Sequence, residues 1–193
     1  MGRAVCVAGA GAERDRVKFT PLPIPGAYLV EIEPMADERG FFARTFCADE
    51  FRRRGLNPAI AQCSLSWNKH KGTLRGMHYQ IAPHAEAKLV SCPRGANHDV
   101  IVDLRPESPS FRRWTGADLT AENRCMIYVP EGCAHGFQTL VDGSEVYYQI
   151  SAPHAPGAAR GVRWNDPAFG IAWPDSGCPI LSERDRTYPD FAP

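Results

Sequence analysis

The stretch Ala87-Lys-Leu-Val-Ser-Cys92, Pro93-Arg-Gly95 and Asp99-Val-Ile-Val-Asp-Leu104 sets the pattern of the chain. Two short runs rich in Val, Ile and Leu are split by Pro and Gly, and neither is long enough for an ordinary helix. The same grammar repeats on both sides. Ala27–Glu33, Phe41–Phe46, Leu74–Gln80, Cys125–Val129, His135–Leu140 and Glu145–Ile150 are runs of about six residues bounded by turn formers. Asp49 to Gly55 is the one segment that reads as a helix, with Asp49 as its cap and Gly55 as its stop. Trp173–Pro193 is Pro-rich and reads as irregular chain with short helical turns. No repeat, linker or low-complexity tract divides these segments. The expectation is a mainly β protein, a single jelly-roll β-sandwich over residues 19–193 with a few short helices.

Residues 1–18 read as a poorly ordered N-terminal extension. The apolar run Ala4 to Ala10 after Arg3 sits at the lower length limit of a signal-peptide core. Gly9-Ala-Gly11 after Val5-Cys-Val7 has the start of a dinucleotide-binding turn, but Arg14 stands where the third glycine belongs.

Composition bounds the function. The chain has 193 residues, 44% of them hydrophobic, which suffices for a sizeable core. Its 22 basic and 22 acidic residues cancel, which excludes attachment to nucleic acid or an acidic membrane by bulk charge. A small phosphate pocket built from a few arginines remains compatible with neutrality. Seven scattered cysteines with no C-x-x-C pair read as reduced, mostly buried thiols of a cytoplasmic protein. No apolar run approaches the ~20 residues that span a bilayer.

Chemistry concentrates in four segments: Lys69–Gln80, Pro130–Phe137, Tyr147–Ser151 and Leu181–Asp185. Strand alternation in Leu74-Arg-Gly-Met-His78 puts Arg75 and Met77 on one face, and Leu74, Gly76 and His78 on the other. His78 and Gln80 then share a face with Gly76, whose missing side chain leaves room for a ligand. Each segment also has a plain structural explanation. A lone histidine in a β protein is usually a hydrogen-bonded scaffold residue, a strand tyrosine is usually packing, and a terminal Asp is usually a cap. A metal site is disfavoured, because Tyr79 and Gln80 follow His78 where an H-x-H pair would stand, and His84 and His98 lack ligand spacing.

Taken together, several motifs in order resemble the dTDP-4-dehydrorhamnose 3,5-epimerase family. They are Asp37-Glu-Arg-Gly-Phe-Phe42, Lys71–Gln80, Lys88-Leu-Val90, Asp99–Arg105, Ser108-Pro109, Pro130–Phe137, Trp164-Asn-Asp-Pro167, Trp173-Pro174 and Leu181–Asp185. The resemblance implies a cupin-type jelly roll, a homodimer and epimerisation of a nucleotide-linked 4-keto-6-deoxy sugar without metal or cofactor. It assigns His78 as catalytic base, Asp185 as its carboxylate partner, Tyr148 as general acid and Lys88 as the cation facing the enolate. Arg39, Gln62, Ser64, Arg75, His135 and Arg184 fall at substrate-binding positions, Arg39 near the dimer interface. Tyr147, next to Tyr148, faces the other way.

The chain departs from the family pattern at Ser64, where Asn is frequent, and at Arg44 and Ala159, where some members are acidic. Arg184 stands for Lys, and His98 has no reading in the sequence. Three alternatives stay open on the residues alone: a C3-only epimerase, a non-catalytic sugar-nucleotide-binding jelly roll, and a metal-dependent cupin oxygenase, the last disfavoured by the absent H-x-H.

Overall fold

The computed structural model describes residues 16–174 and 177–192. The two motif-like segments of the first fifteen residues lie outside that range. Thirteen strands and two short helices follow in chain order: β1 Val17–Pro21, β2 Tyr28–Ile32, β3 Met35–Asp37, β4 Gly40–Phe42, α1 Ala48–Arg53, β5 Gln62–Asn68, β6 Leu74–Gln80, β7 Lys88–Arg94, β8 Ala96–Asp103, β9 Trp114–Thr120, β10 Met126–Val129, β11 Cys133–Thr139, β12 Ser144–Ile150, β13 Ala159–Gly161 and α2 Glu183–Arg186. A six-stranded sheet, β1-β2-β10-β7-β12-β5, faces a five-stranded one, β13-β6-β11-β8-β9, and β3 and β4 form a separate hairpin. The expected jelly-roll sandwich is thus the observed one. Its inner layer is Ile101, Leu119, Ile127, Val129, Phe137, Val90 and Val146.

Two outer layers complete the packing. Helix α1 lays Phe51 on Val17, Val30, Leu89, Met126 and Tyr128, at one end of the large sheet's outer face. The C-terminal segment lays Phe169 and Trp173 on Met77, Val100 and Val102 of the small sheet. The Trp164–Pro167 and Trp173 motifs fasten that segment. Trp173 Nε1 donates to the Trp164 carbonyl at 2.9 Å, and Asp166 accepts from the amides of Ala168 and Phe191 at 2.8 and 2.5 Å. The Asp103–Arg105 and Ser108 motif is likewise a knot. Buried Asp103 accepts from Arg105 Nε and Nη2, both at 2.8 Å, and from the Ser108 and Ser110 hydroxyls at 2.5 and 2.6 Å.

Several expectations need correction. Strand β1 starts at Val17, within the segment read as an extension, and buried Glu50 of α1 accepts from the Arg16 and Val17 amides at 3.4 and 3.1 Å. Asp49 does not cap α1. Cys47 occupies that position without a side-chain bond, and Asp49 pairs with Arg52 in the first turn. Gly55 does stop the helix, with a φ of 69°. The strand expected over Phe41–Phe46 ends at Phe42, and the chain leaves it so that Phe46 packs on Phe51 with ring centroids 4.9 Å apart. The thiols are not mostly buried: Cys92 and Cys133 are, whereas Cys63 and Cys178 are exposed.

The correction that matters most concerns β6. Opposite β11, His78 pairs with His135 but Arg75 pairs with Phe137, so three steps on β6 face two on β11. This bulge at Gly76–Met77 breaks the alternation. Leu74 and Met77 both join the outer cluster, while Arg75 and His78 both face the sandwich interior. Gly76 is required for strand contact rather than for ligand space. A Cβ there would meet Gly136 Cα at 2.6 Å, and its φ of 145° is one that side chains disfavour. Gly76→Ala should therefore lower Tm by roughly 3–10 °C, more than Gly157→Ala, whose site is open and whose backbone is not left-handed. Equal Tm values for the two variants, read by differential scanning calorimetry, would contradict the close-contact account.

Candidate active site

A cavity of about 470 Å³ opens between the sheets at one end of the sandwich. The small sheet contributes Arg75, His78 and His135. The large sheet contributes Gln62, Ser64 and Ser66 of β5, Lys88 of β7, and Tyr148 and Ile150 of β12. Ser182, Arg184 and Asp185 close it from the C-terminal side. The volume suits a ligand of sugar-nucleotide size with part of it left at the mouth.

His78 and Asp185 form the first hydrogen-bonded pair, with Nε2 and Oδ1 2.7 Å apart. Ser182 builds the short turn that delivers Asp185, its hydroxyl accepting the Asp185 amide at 3.1 Å. Burial pushes the Asp185 carboxyl up, but the His78 bond and charge, the Gly76 amide and Ser182 outweigh it and hold the group below the usual carboxylate range. An ionised carboxylate only accepts, so the His78 proton sits on Nε2 and the Nδ1 lone pair is the available base.

A second pair lies deeper. His135 Nε2 is 2.6 Å from Asp99 Oδ1, and both residues are buried. Burial pushes Asp99 up and His135 down, each toward its neutral form, while their mutual bond opposes both shifts. The Asn97 amide also donates to Asp99. His135 meets the Tyr148 ring edge-on, with centroids 6.0 Å apart.

Tyr148 belongs to the large sheet and His78 to the small one, so phenol and imidazole occupy facing walls. Burial pushes the Tyr148 phenol up strongly, Asp99 adding to the shift and Arg75 opposing it. The phenol therefore holds its proton at neutral pH and is available as an acid. Tyr147 points to the outer face beside Ser91 and Gln149, as expected. Lys88 Nζ donates to the His78 carbonyl at 3.2 Å and pairs with Glu86 at 3.0 Å.

Arg75 is steadied by Asn68, whose Oδ1 accepts from Nε at 2.8 Å, leaving the outer nitrogens for a ligand. Gln62 and Ser64 line the same wall, Gln62 also accepting the His154 amide. The Arg184 guanidinium lies 5.7 Å from the Tyr188 ring centroid at the mouth. One expected residue is not brought in. Arg39 is on the exposed β3–β4 turn, paired with Asp37 through Nη2 at 2.5 Å, and does not line the chain's own cavity. Arg44 pairs with Glu50 at 3.1 Å, and Ala159 pairs with Gln80 in β13; neither lines the cavity. His98 bonds Asp118 across β8 and β9 at 2.6 Å. Among the described residues no three His, Cys, Asp or Glu side chains converge as metal ligands.

Among the residues the sequence reading missed are Glu86, which lines the cavity, and Asp99, which backs His135. Glu86 had a usable signal, standing two residues before Lys88 and hence on its face. Asp99 had none, because it reaches His135 only through the β8–β11 register, in which His135 faces Ile101 and Asp99 faces Phe137. Asp185 also makes a testable contribution to stability. Its folded value lies below the ordinary 3.8, so it stabilises above that value and loses the contribution as pH falls through the folded one. The Tm advantage of wild type over Asp185→Asn should thus shrink on going from about pH 6 to about pH 3. An advantage that grows toward acid would contradict an ionised Asp185.

Comparison with known proteins fits this geometry. The family model described as dTDP-4-dehydrorhamnose 3,5-epimerase matches residues 21–193. A dTDP-4-dehydrorhamnose 3,5-epimerase of Sinorhizobium fredii is 39% identical over 181 residues, covering 94% of this chain and 93% of that one. A dTDP-4-dehydro-6-deoxyglucose 3-epimerase of Streptomyces bikiniensis is 38% identical over 173 residues, covering 89% and 88%. The crystal structure of the 3,5-epimerase from Elizabethkingia anophelis superposes with a TM-score of 0.89 at 36% identity, over 92% of this chain and 97% of that one. With the family model matching residues 21–193 and identities near 39% over most of both chains, the chain belongs to the dTDP-4-dehydrorhamnose 3,5-epimerase family.

Proposed function

We propose that the protein inverts C3 and C5 of a nucleotide-linked 4-keto-6-deoxyhexose of the dTDP-4-dehydro-6-deoxyglucose type. The observation that carries this reading is the opposition of His78 and Tyr148 across one cavity, with Asp185 behind the imidazole. A carbon next to a ketone loses its proton usefully only if the electron pair can move onto an oxygen that meets fixed positive charge. His78 Nδ1 takes the proton, the C–H pair becomes the enolate C=C, and the carbonyl pair moves to oxygen facing the Lys88 ammonium. Tyr148 then gives its phenolic proton to the opposite face of the same carbon. Return of the proton from His78 to Tyr148 through solvent restores the enzyme. General acid–base help of this kind contributes about 10²–10⁴-fold, and enolate stabilisation adds more. Arg75 and Arg184 have the guanidinium geometry for the diphosphate.

The same reading is of a cytoplasmic homodimer that needs neither metal nor cofactor and binds no nucleic acid or membrane. No helix among the described residues is long and apolar enough to cross a membrane. Support for the dimer comes from the outer face of the large sheet, which α1 covers only at its β1–β2–β10 end. At the β12–β5 end Leu65 and Trp67 are 58% and 55% exposed, and Phe42 of the nearby hairpin is 70% exposed. A second copy would cover these residues and carry its own Arg39 toward the cavity. Sedimentation should report a dimer for wild type and a monomer for the double variant Leu65→Asp, Trp67→Asp; a monomeric wild type would contradict this part.

Proton NMR in D₂O with dTDP-4-keto-6-deoxyglucose tests the chemistry. Deuterium should enter both C3 and C5. Entry at C3 alone would match the 3-epimerase relative instead, and no entry would leave only a sugar-nucleotide-binding role. His78→Ala should abolish exchange, whereas Tyr148→Phe should retain exchange while losing inversion. Equal loss of exchange in both variants would contradict the division of roles.

A further inference from the structure

The cation that faces the enolate is itself held by a carboxylate. Glu86 stands two residues before Lys88, the first residue of β7, and both side chains line the cavity. Glu86 Oε1 lies 3.0 Å from Lys88 Nζ, with the two side chains only 11% and 9% exposed. Lys88 Nζ also donates to the His78 carbonyl at 3.2 Å. An ammonium has three N–H groups. With two directed at Glu86 and at the His78 carbonyl, the tetrahedral nitrogen leaves one direction for the third. A lysine on its free four-carbon stem has no such fixed direction.

We propose that Glu86 is a positioning residue for the epimerisation, a role resting on the reading above. With the His78 carbonyl it aims the remaining N–H of Lys88 at the substrate's ketone oxygen. The His78 carbonyl belongs to the residue that carries the base, so one backbone group ties the cation's aim to the imidazole's position. Two effects of Glu86 compete. Its charge weakens the pull of Lys88 on the enolate, while its bond supplies the aim and the counter-charge. The second prevails: a nearly buried ammonium without a counter-ion is costly and moves toward water, and a donor already aligned needs no reorganisation in the transition state.

The experiment compares kcat and KM of Glu86→Ala and Glu86→Gln with wild type on dTDP-4-keto-6-deoxyglucose, and repeats Glu86→Ala in a Lys88→Ala background. Loss of one charge-assisted hydrogen bond should lower kcat of Glu86→Ala about tenfold with KM within about twofold. Glu86→Gln, which keeps an acceptor oxygen, should recover part of the loss. In the Lys88→Ala background, followed by slow deuterium exchange over hours, Glu86→Ala should cost nothing further. A loss that persists without Lys88 would make Glu86 a structural residue and overturn the proposal. So would a changed KM alone, an unchanged kcat, or a raised kcat, the last meaning that the carboxylate only screens Lys88. Failure of wild type to exchange deuterium would overturn the epimerase reading and this role together, whereas undiminished exchange in Glu86→Ala overturns this role alone.

Discussion

The contact of two glycine backbones, Gly76 on β6 and Gly136 on β11, governs the site. Neither position has room for a methyl group: a Cβ at Gly76 would lie 2.6 Å from Gly136 Cα, and one at Gly136 would lie 2.6 Å from Met77 Sδ. That closeness permits the bulge by which β6 fits three steps against two. The bulge in turn sends Arg75 and His78 into the same cavity although they stand three residues apart. A regular strand would point one of them into the apolar layer under Trp173 and Phe169. The Arg75 guanidinium and the His78 imidazole thus share a wall because of a backbone irregularity.

The opposite wall has its own logic. Tyr148 alternates inward with Val146 and Ile150 on β12, and its cross-strand partner on β5 is Ser64. The space between the sheets therefore has an imidazole on one wall and a phenol on the other. The surroundings set the protonation of Asp185 and of Tyr148. Asp185 stays ionised through its hydrogen bonds and leaves Nδ1 of His78 as the base, while burial keeps the Tyr148 proton in place. On the proposed reading, base and acid differ because one is backed by a carboxylate and the other is a buried phenol.

The sandwich class was legible because runs such as Ala87–Cys92 and Asp99–Leu104 are apolar, short and punctuated. Strand β5 was not legible: its alternation is inverted, with Ser64 and Ser66 facing the cavity and Leu65 and Trp67 facing out. Strand β9 hides behind Gly116 and Asp118, weak strand formers that pairing with β8 overrides. The site residues were identifiable only through the family resemblance, since spacing on one strand predicts the wrong face for Arg75 and says nothing of Asp99 behind His135. Registers and bulges are properties of two strands, and a single segment does not encode them. Arg39 illustrates the same limit on a larger scale, because its turn extends away from the cavity of its own chain.

The central claim is that one sugar ring is held between a base on the small sheet and an acid on the large one. A crystal structure with a dTDP-linked 4-keto-6-deoxy sugar bound tests it most directly. The account predicts the ring between His78 Nδ1 and the Tyr148 hydroxyl, one on each face, with the ketone oxygen within hydrogen-bond reach of Lys88 Nζ. A ring that presents the same face to both groups, or that lies outside the cavity, would contradict it.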